Sequence, residues 1–346
     1  MKIVHVIFSL KTGGSETMLV DIINEQVNSD NDLELIIIND EYENALVDKI
    51  DKRVKISYMR RVRGRNTIFV ALKLNMYAVL YRPDVVHFHD HTGIGMFFYQ
   101  SFKKVLTVHA IGFNSKYWRR YDAICSISNA VKEDLKNRIG IDSSLVYNGI
   151  SFKTIKQKQI SSKNKAELRL LQISRLDHQT KGQDILIDAI KLVAGKYFGK
   201  ISVDFIGEGD SRSYLEAKVL ESGLSDSIRF LGLKSRDYIY EHLNEYDLLV
   251  QPSVYEGFGL AIAEGIAAKI PVLISDNKGP MEVIAEGKYG FVFKNGDSID
   301  CAEKIIQIAM MSDDKIRMLT QDAFLYAEKM FNIENTAQNY LNLYKD

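Results

Sequence analysis

Along the chain, short apolar runs rich in β-branched residues alternate with longer segments whose apolar positions recur every three to four residues. The runs fall at 2–8, 33–38, 84–88, 104–108 and 122–127, and again, after residue 165, at 168–173, 201–206, 228–231, 247–251 and 271–275. Strand-length runs that each lead into helix-like sequence are the pattern of βαβ units, so the chain is predicted to be α/β with parallel, doubly wound sheets. The stretch 151–165 is rich in Lys, Gln and Ser without a sustained apolar period, and reads as an interdomain linker. The expected organisation is a domain over 1–150, the linker, and a second domain over 166–330. The stretch 299–346 reads as helical throughout, and its last part, 331–346, is expected to be a helix packing back toward the first domain. Two such domains would leave a cleft between the carboxyl ends of their sheets, where folds of this kind bind ligands.

Composition narrows the partners. Of 346 residues, 46% are hydrophobic and 26% charged, with 45 basic against 45 acidic side chains. A neutral chain with a pI near 7.1 has no global attraction to nucleic acid. No window reaches the ~18 consecutive apolar residues of a membrane span, and the N-terminal run is too short for a signal peptide. Cys125 and Cys301 stand far apart with no metal-ligand spacing, which fits a reduced, cytoplasmic setting.

Charge is nevertheless uneven. Between positions 52 and 82 there are nine Lys or Arg and no Asp or Glu, with Arg60, Arg61, Arg63 and Arg65 at the centre. The helix that follows repeats apolar residues at Phe69, Leu72, Met76, Val79 and Leu80, which predicts a core-facing stripe. A basic loop beside such a helix suits a diphosphate-bearing acceptor or the anionic inner face of a membrane. Nucleic acid is disfavoured, because no aromatics interleave with the arginines.

Three loops carry candidate chemistry. Gly13 and Gly14 open a helix directly after the first strand, where bare amides favour an anion. Arg175 and Lys181 flank a strand-to-helix loop and could neutralise a diphosphate, Arg as a fork and Lys as a point charge. The segment 251–264 places Glu256 in a loop, Gly257 and Gly259 in a tight turn, and Glu264 about two turns into an apolar helix. Such carboxylates can accept paired hydrogen bonds from vicinal hydroxyls while the amides of Phe258, Gly259 and Leu260 take phosphate. His87, His89 and His91 alternate beside Asp90, and two-apart histidines can converge on zinc. No distant Cys or His cluster completes a metal site, and no Asp-x-Asp motif offers one, so neither a metal nor another cofactor is expected.

These residues resemble the family 4 retaining glycosyltransferases of GT-B fold over nearly the whole chain. The resemblance rests on Gly13-Gly14-Ser15-Glu16, the Asp84 to His89 segment, Thr107-Val108-His109, Asn148-Gly149, Ser174-Arg175-Leu176 with Lys181-Gly182, and the pair Glu256 and Glu264. It implies two Rossmann-like domains facing each other across a cleft and a nucleotide diphosphate sugar, UDP-linked above all, as co-substrate. It further implies that Arg175 and Lys181 hold the donor diphosphate, Glu264 the ribose and Glu256 the sugar, with His109 beside the reacting centre. The acceptor is expected to be a saccharide or lipid-linked saccharide of bacterial surface polysaccharide assembly. The rival readings are a GT-B epimerase and an inactive nucleotide-sugar scaffold. The chain departs from the family pattern at His178-Gln179-Thr180, which lengthens the loop before Lys181, at Ser151, and at Asn277-Lys278-Gly279-Pro280.

Overall fold

The computed structural model describes residues 1–62, 65–99, 101–159, 167–197 and 199–345. They divide into two compact units, Met1–Ile150 with Phe331–Asp346, and Ser151–Met330. In the first unit the strands are β1 (Lys2–Ile7), β2 (Asp32–Asn39), β3 (Lys55–Arg61), β4 (Val85–Phe88), β5 (Lys103–Val108), β6 (Ala123–Ser126) and β7 (Ser144–Leu145). They form one sheet in the order β3-β2-β1-β4-β5-β6-β7, every pairing parallel. Five of the six residues of β1 and seven of the eight of β2 are buried. Burial on both faces is what a parallel sheet covered by crossover helices requires, and it explains why these strands read as unbroken apolar runs.

The second unit repeats the plan with β8 (Glu167–Ile173), β9 (Lys200–Ile206), β10 (Ile228–Gly232), β11 (Leu248–Gln251), β12 (Val272–Ser275) and β13 (Phe291–Phe293), in the order β10-β9-β8-β11-β12-β13. Its core packs Leu170, Val203, Phe205 and Val250 against Ile190 and Ile305 of the helices Gln183–Ala194 and Ser298–Ala309. In both sheets the strand order reverses beside the first strand, between β1 and β4 and between β8 and β11. A crevice opens at such a reversal, because the flanking crossovers leave to opposite faces.

Several features depart from the sequence expectation. The strands β3, β7 and β13 were not anticipated; β3 reads Lys-Ile-Ser-Tyr-Met-Arg-Arg, an edge strand with too few apolar residues to stand out, and the other two are very short. Because β3 runs through Arg61, the expected basic loop is in part a strand; Arg63 lies outside the described residues. The C-terminal stretch is helical as expected, in three helices, Ser298–Ala309, Asp313–Phe331 and Ile333–Lys345, and the last packs on the helix Gly14–Gln26 of the first unit. Of the segment read as a linker, residues 151–159 are tied to the second unit: the Lys158 amide donates to the Ala268 carbonyl at 2.8 Å, and Lys158 Nζ pairs with Asp247 at 3.1 Å.

The helix Thr67–Tyr81 is the largest correction. It buries Val70, Ala71, Leu74 and Ala78, whereas Phe69 is 80% exposed, Leu80 76%, and Leu72, Met76 and Val79 are exposed with them. The expected core-facing stripe points outward. Tyr77, on its inner side, donates at 2.7 Å to the buried Glu34 of β2, which also takes bonds from Lys55 Nζ and Ser57 of β3. A buried carboxylate with three donors fixes which face of the helix turns to the sheet. Among the described residues no helix is long and apolar enough to cross a membrane.

Candidate functional site

In the second unit, the loop after β8 brings Arg175 to the carboxyl edge of the sheet, exposed and paired with Asp177 at 3.0 Å. The insertion His178-Gln179-Thr180 forms, with Lys181, a single helical turn. Its Thr180 carbonyl accepts the amides of Val254 and Tyr255, at 2.9 and 3.2 Å. Gly182 follows in the left-handed region, φ +63°, so close to Pro252 that a Cβ there would lie 2.1 Å from the Pro252 carbonyl oxygen. These contacts lock the Lys181 turn against the loop that leaves β11, and the consequence is an ion pair: Lys181 Nζ donates to Glu256 Oε2 at 2.6 Å, both side chains half-buried. The other flank of Glu256 is set by Gly279, where a Cβ would stand 2.6 Å from the Glu256 carbonyl. The atypical Asn277–Pro280 segment therefore cradles the Glu256 loop, and only a glycine allows that approach.

Gly259, at φ +99°, caps the helix Leu260–Ala267, and Phe258 is buried beside it. Glu264 lies within that helix, only 8% exposed. The Tyr240 hydroxyl donates to its Oε1 at 3.1 Å and the Arg236 guanidinium sits 3.6 Å from the same atom. A carboxylate in an apolar helix needs such partners, yet Arg236 and Tyr240 were not singled out from the sequence. They come from a separate helix, Arg236–His242, and only the four-residue spacing of Arg and Tyr hinted at a shared face. Gly207 and Gly209 were also missed. A Cβ on either would meet the backbone carbonyl of Ser174 or Leu176, at 2.0 and 2.4 Å. Beside them, Arg175, Asp177, His178 and Asp210 line a concavity of about 390 Å³.

In the first unit, a polar cavity of about 450 Å³ opens at the reversal between β1 and β4, lined by Ser9, Ser15, Glu16, Arg61, His89 and Asp90 among others. Gly13 precedes the helix Gly14–Gln26 in extended conformation, and a Cβ on it would meet the Glu16 carboxylate at 2.5 Å. Burial pushes the carboxyls of Glu16 and Asp90 up from their ordinary range; Asp90 Oδ2 accepts the Phe8 amide at 2.8 Å. Arg61 is half-buried, donates to Asn39 at 2.7 Å and lies over the Phe8 ring. It faces this cavity, whereas Arg60 and Arg65 are exposed. Of the four arginines grouped by sequence, then, the structure assigns Arg61 to a different place from Arg60 and Arg65.

His109 follows β5, half-buried, its Nε2 3.4 Å from His89 Nδ1. Behind it, His5, His87 and His89 are buried together, one ring nitrogen of each within 4.8 Å of the others. His91 does not join them; it rests against Phe113 and Trp118. The alternation that grouped the histidines ends with β4 at Phe88, and His5 takes the place of His91 because β1 sets it beside His87 in register. Three converging imidazoles could hold a zinc ion, but each of their six ring nitrogens already has a hydrogen-bond partner.

Residues 12–153 match the family model for Glycosyltransferase Family 4, and residues 153–323 that for Glycosyl transferases group 1. The chain is 24% identical over 324 residues to an uncharacterized glycosyltransferase, MJ1178, of Methanocaldococcus jannaschii, covering 88% of this chain and 86% of that one. It is 23% identical to the phosphatidyl-myo-inositol mannosyltransferase of Mycobacterium leprae over 64% of this chain and 58% of the relative. The crystal structure of Anabaena HepE in complex with UDP and glucose superposes over all of both chains, with a TM-score of 0.82 at 20% identity. Two doubly wound units with the same strand order and two contiguous family matches agree, and the chain belongs to the family 4 glycosyltransferases of GT-B fold.

Proposed function

We propose that the protein is a retaining hexosyltransferase that moves a sugar from a UDP-sugar to an acceptor hydroxyl, without a metal or other cofactor. The observation that carries this reading is the Lys181–Glu256 pair at 2.6 Å: a cation and a carboxylate held side by side at the carboxyl edge of the second sheet. A diphosphate would draw on Lys181 and Arg175, and on the amides of Phe258, Gly259 and Leu260 at the start of a helix, where partial positive charge favours phosphate. Glu256, joined to Lys181, would then accept hydrogen bonds from the sugar, and Glu264 from the ribose. On the first unit His109 is assigned to the reacting centre, with Gly13 and Gly14 leaving backbone amides open to substrate. Rate enhancement would come from positioning and from stabilising the departing diphosphate, so no covalent nucleophile is required. The retained configuration rests on the family resemblance.

For the acceptor we infer a lipid-linked saccharide of surface polysaccharide assembly, met at the anionic inner face of a membrane. The outward apolar face of the helix Thr67–Tyr81, flanked by exposed Arg60, Arg65, Lys73 and Arg82, supports this, as does a relative named for a phosphatidylinositol substrate. Calorimetric titration with UDP tests the donor site. Arg175→Ala and Lys181→Ala are each expected to weaken binding about tenfold or more, the loss of one charge-assisted contact, while the circular dichroism spectrum is unchanged. Parent-like affinity in both variants would refute the assignment.

A further inference from the structure

The buried histidines of the first unit are not isolated. His5 Nε2 donates to Gln26 Oε1 at 2.8 Å, His89 Nε2 donates to His5 Nδ1 at 3.1 Å, and His109 Nε2 donates to His89 Nδ1 at 3.4 Å. From the other end of the same amide, Gln26 Nε2 donates to the Tyr344 hydroxyl at 3.4 Å, and that hydroxyl is hydrogen-bonded to His87 Nδ1 at 2.6 Å. His87 Nε2 is hydrogen-bonded to Thr107 at 2.8 Å, and Thr107 to the Tyr340 hydroxyl at 3.0 Å. From Gln26 through His5 and His89 to His109, each bond fixes the next. A neutral imidazole has one N–H and one lone pair, so along the arm through His5, His89 and His109, whose partners are an amide oxygen and other imidazoles, reversing a single ring would set two protons or two lone pairs against each other. Burial keeps the rings neutral, with His5 and His109 held down to about 4 and His87 and His89 well below their ordinary value. The Gln26 amide presents oxygen to His5 and nitrogen to Tyr344, so it sets the direction of the arm through His5, His89 and His109, whereas the hydroxyls of the other arm can donate or accept.

We propose that Gln26, acting through His5 and His89, is a positioning residue that holds His109 in one neutral tautomer, Nε2 protonated and Nδ1 carrying the lone pair. His109 thereby presents a hydrogen-bond acceptor, not a donor, to a substrate hydroxyl. The catalytic part of this inference rests on the assignment of His109 to the reacting centre; the tautomer does not. Tyr340 and Tyr344 belong to the C-terminal helix Ile333–Lys345, which thus closes the far end of the network.

Long-range ¹⁵N–¹H correlation spectra of the full chain labelled at histidine, at pH 7, decide it. In the parent, His5, His89 and His109 are expected to show protonated Nε2 and unprotonated Nδ1. A tautomer mixture at His109, or a protonated Nδ1, overturns the proposal whether or not any variant folds. In Gln26→Leu, His109 is expected to average between tautomers, and kcat to fall with the competent fraction, about twofold for an even mixture, with donor KM unchanged. A folded Gln26→Leu with the parent's His109 signals also overturns it. His109→Ala separates the two readings: undiminished kcat there removes His109 from the reacting centre, whereas a wrong tautomer in the parent removes the relay alone.

Discussion

Gly182 shows how much of the proposed donor site hangs on one backbone position. Its φ of +63° is in the left-handed region, and a Cβ would sit 2.1 Å from the Pro252 oxygen. Gly182→Ala must therefore push the Lys181 turn away from the Glu256 loop, besides adding strain of about 1–3 kcal/mol. It is expected to lower stability by that order in urea denaturation and to weaken UDP binding although no functional side chain has changed. His5 makes a second prediction at this scale. Its ordinary value of 6.5 falls to about 4 on burial, so between those limits the unfolded chain takes up a proton that the native protein refuses. Stability present above pH 6.5 is lost as pH falls through this window, on the order of 2 kcal/mol between pH 7 and 5 for this one group. Glu16 and Asp90, raised by burial, act with the opposite sign, their contribution declining as pH rises. Comparing the parent with His5→Gln isolates the histidine: the variant should lose less stability between pH 7 and 5 in urea melts, and an equal loss would contradict the assignment.

At the scale of the element, the helix Thr67–Tyr81 carries the acceptor reading. Two apolar stripes run along it, and Glu34, Tyr77 and Lys55 decide that Val70, Leu74 and Ala78 turn inward. The stripe left outside has Ile68 and Phe69 each 80% exposed, and the neighbouring cations complement anionic lipid, each adding about 1 kcal/mol close to the surface. Apolar insertion and charge should then both be needed. The parent is expected to float with anionic liposomes at 0.1 M salt. Phe69→Ser with Leu72→Ser should abolish flotation, and Arg60→Ser with Arg65→Ser should weaken it and reduce its sensitivity to salt. A parent that stays at the bottom of the gradient, or variants that float equally well, would remove the membrane from the account.

At the scale of the whole molecule, the two units differ in what they depend on. The residues proposed to hold the donor, Arg175, Lys181, Glu256 and Glu264, all belong to Ser151–Met330, whereas the first unit includes Tyr340 and Tyr344 of the helix Ile333–Lys345, packing beside His87. In scanning calorimetry, UDP at about 100 times its dissociation constant should stabilise the second unit by about 2.7 kcal/mol through mass action. Tyr344→Ala, which removes a fully buried ring, should destabilise the first unit by about 3–5 kcal/mol. A nucleotide that raises the same transition as Tyr344→Ala lowers, and no other, would contradict this division.

The sequence by itself determined the α/β class, the two doubly wound halves and the residue types of the loop proposed to bind the donor. Those properties are written locally: a strand buried on both faces is apolar without interruption, and a turn that admits phosphate needs glycine where the backbone must come close. The pairing of Lys181 with Glu256, the partners Arg236 and Tyr240 of Glu264, and the joining of His5 to His89 were decided only by tertiary structure. In each case the partners lie on different elements, 75, 28 and 24, and 84 positions apart along the chain. The helix Thr67–Tyr81 marks the boundary most clearly. Its 3.6-residue periodicity announced a helix, but an apolar residue on either face satisfies that period equally, and only the polar contacts of Glu34 across the sheet decided which face met water.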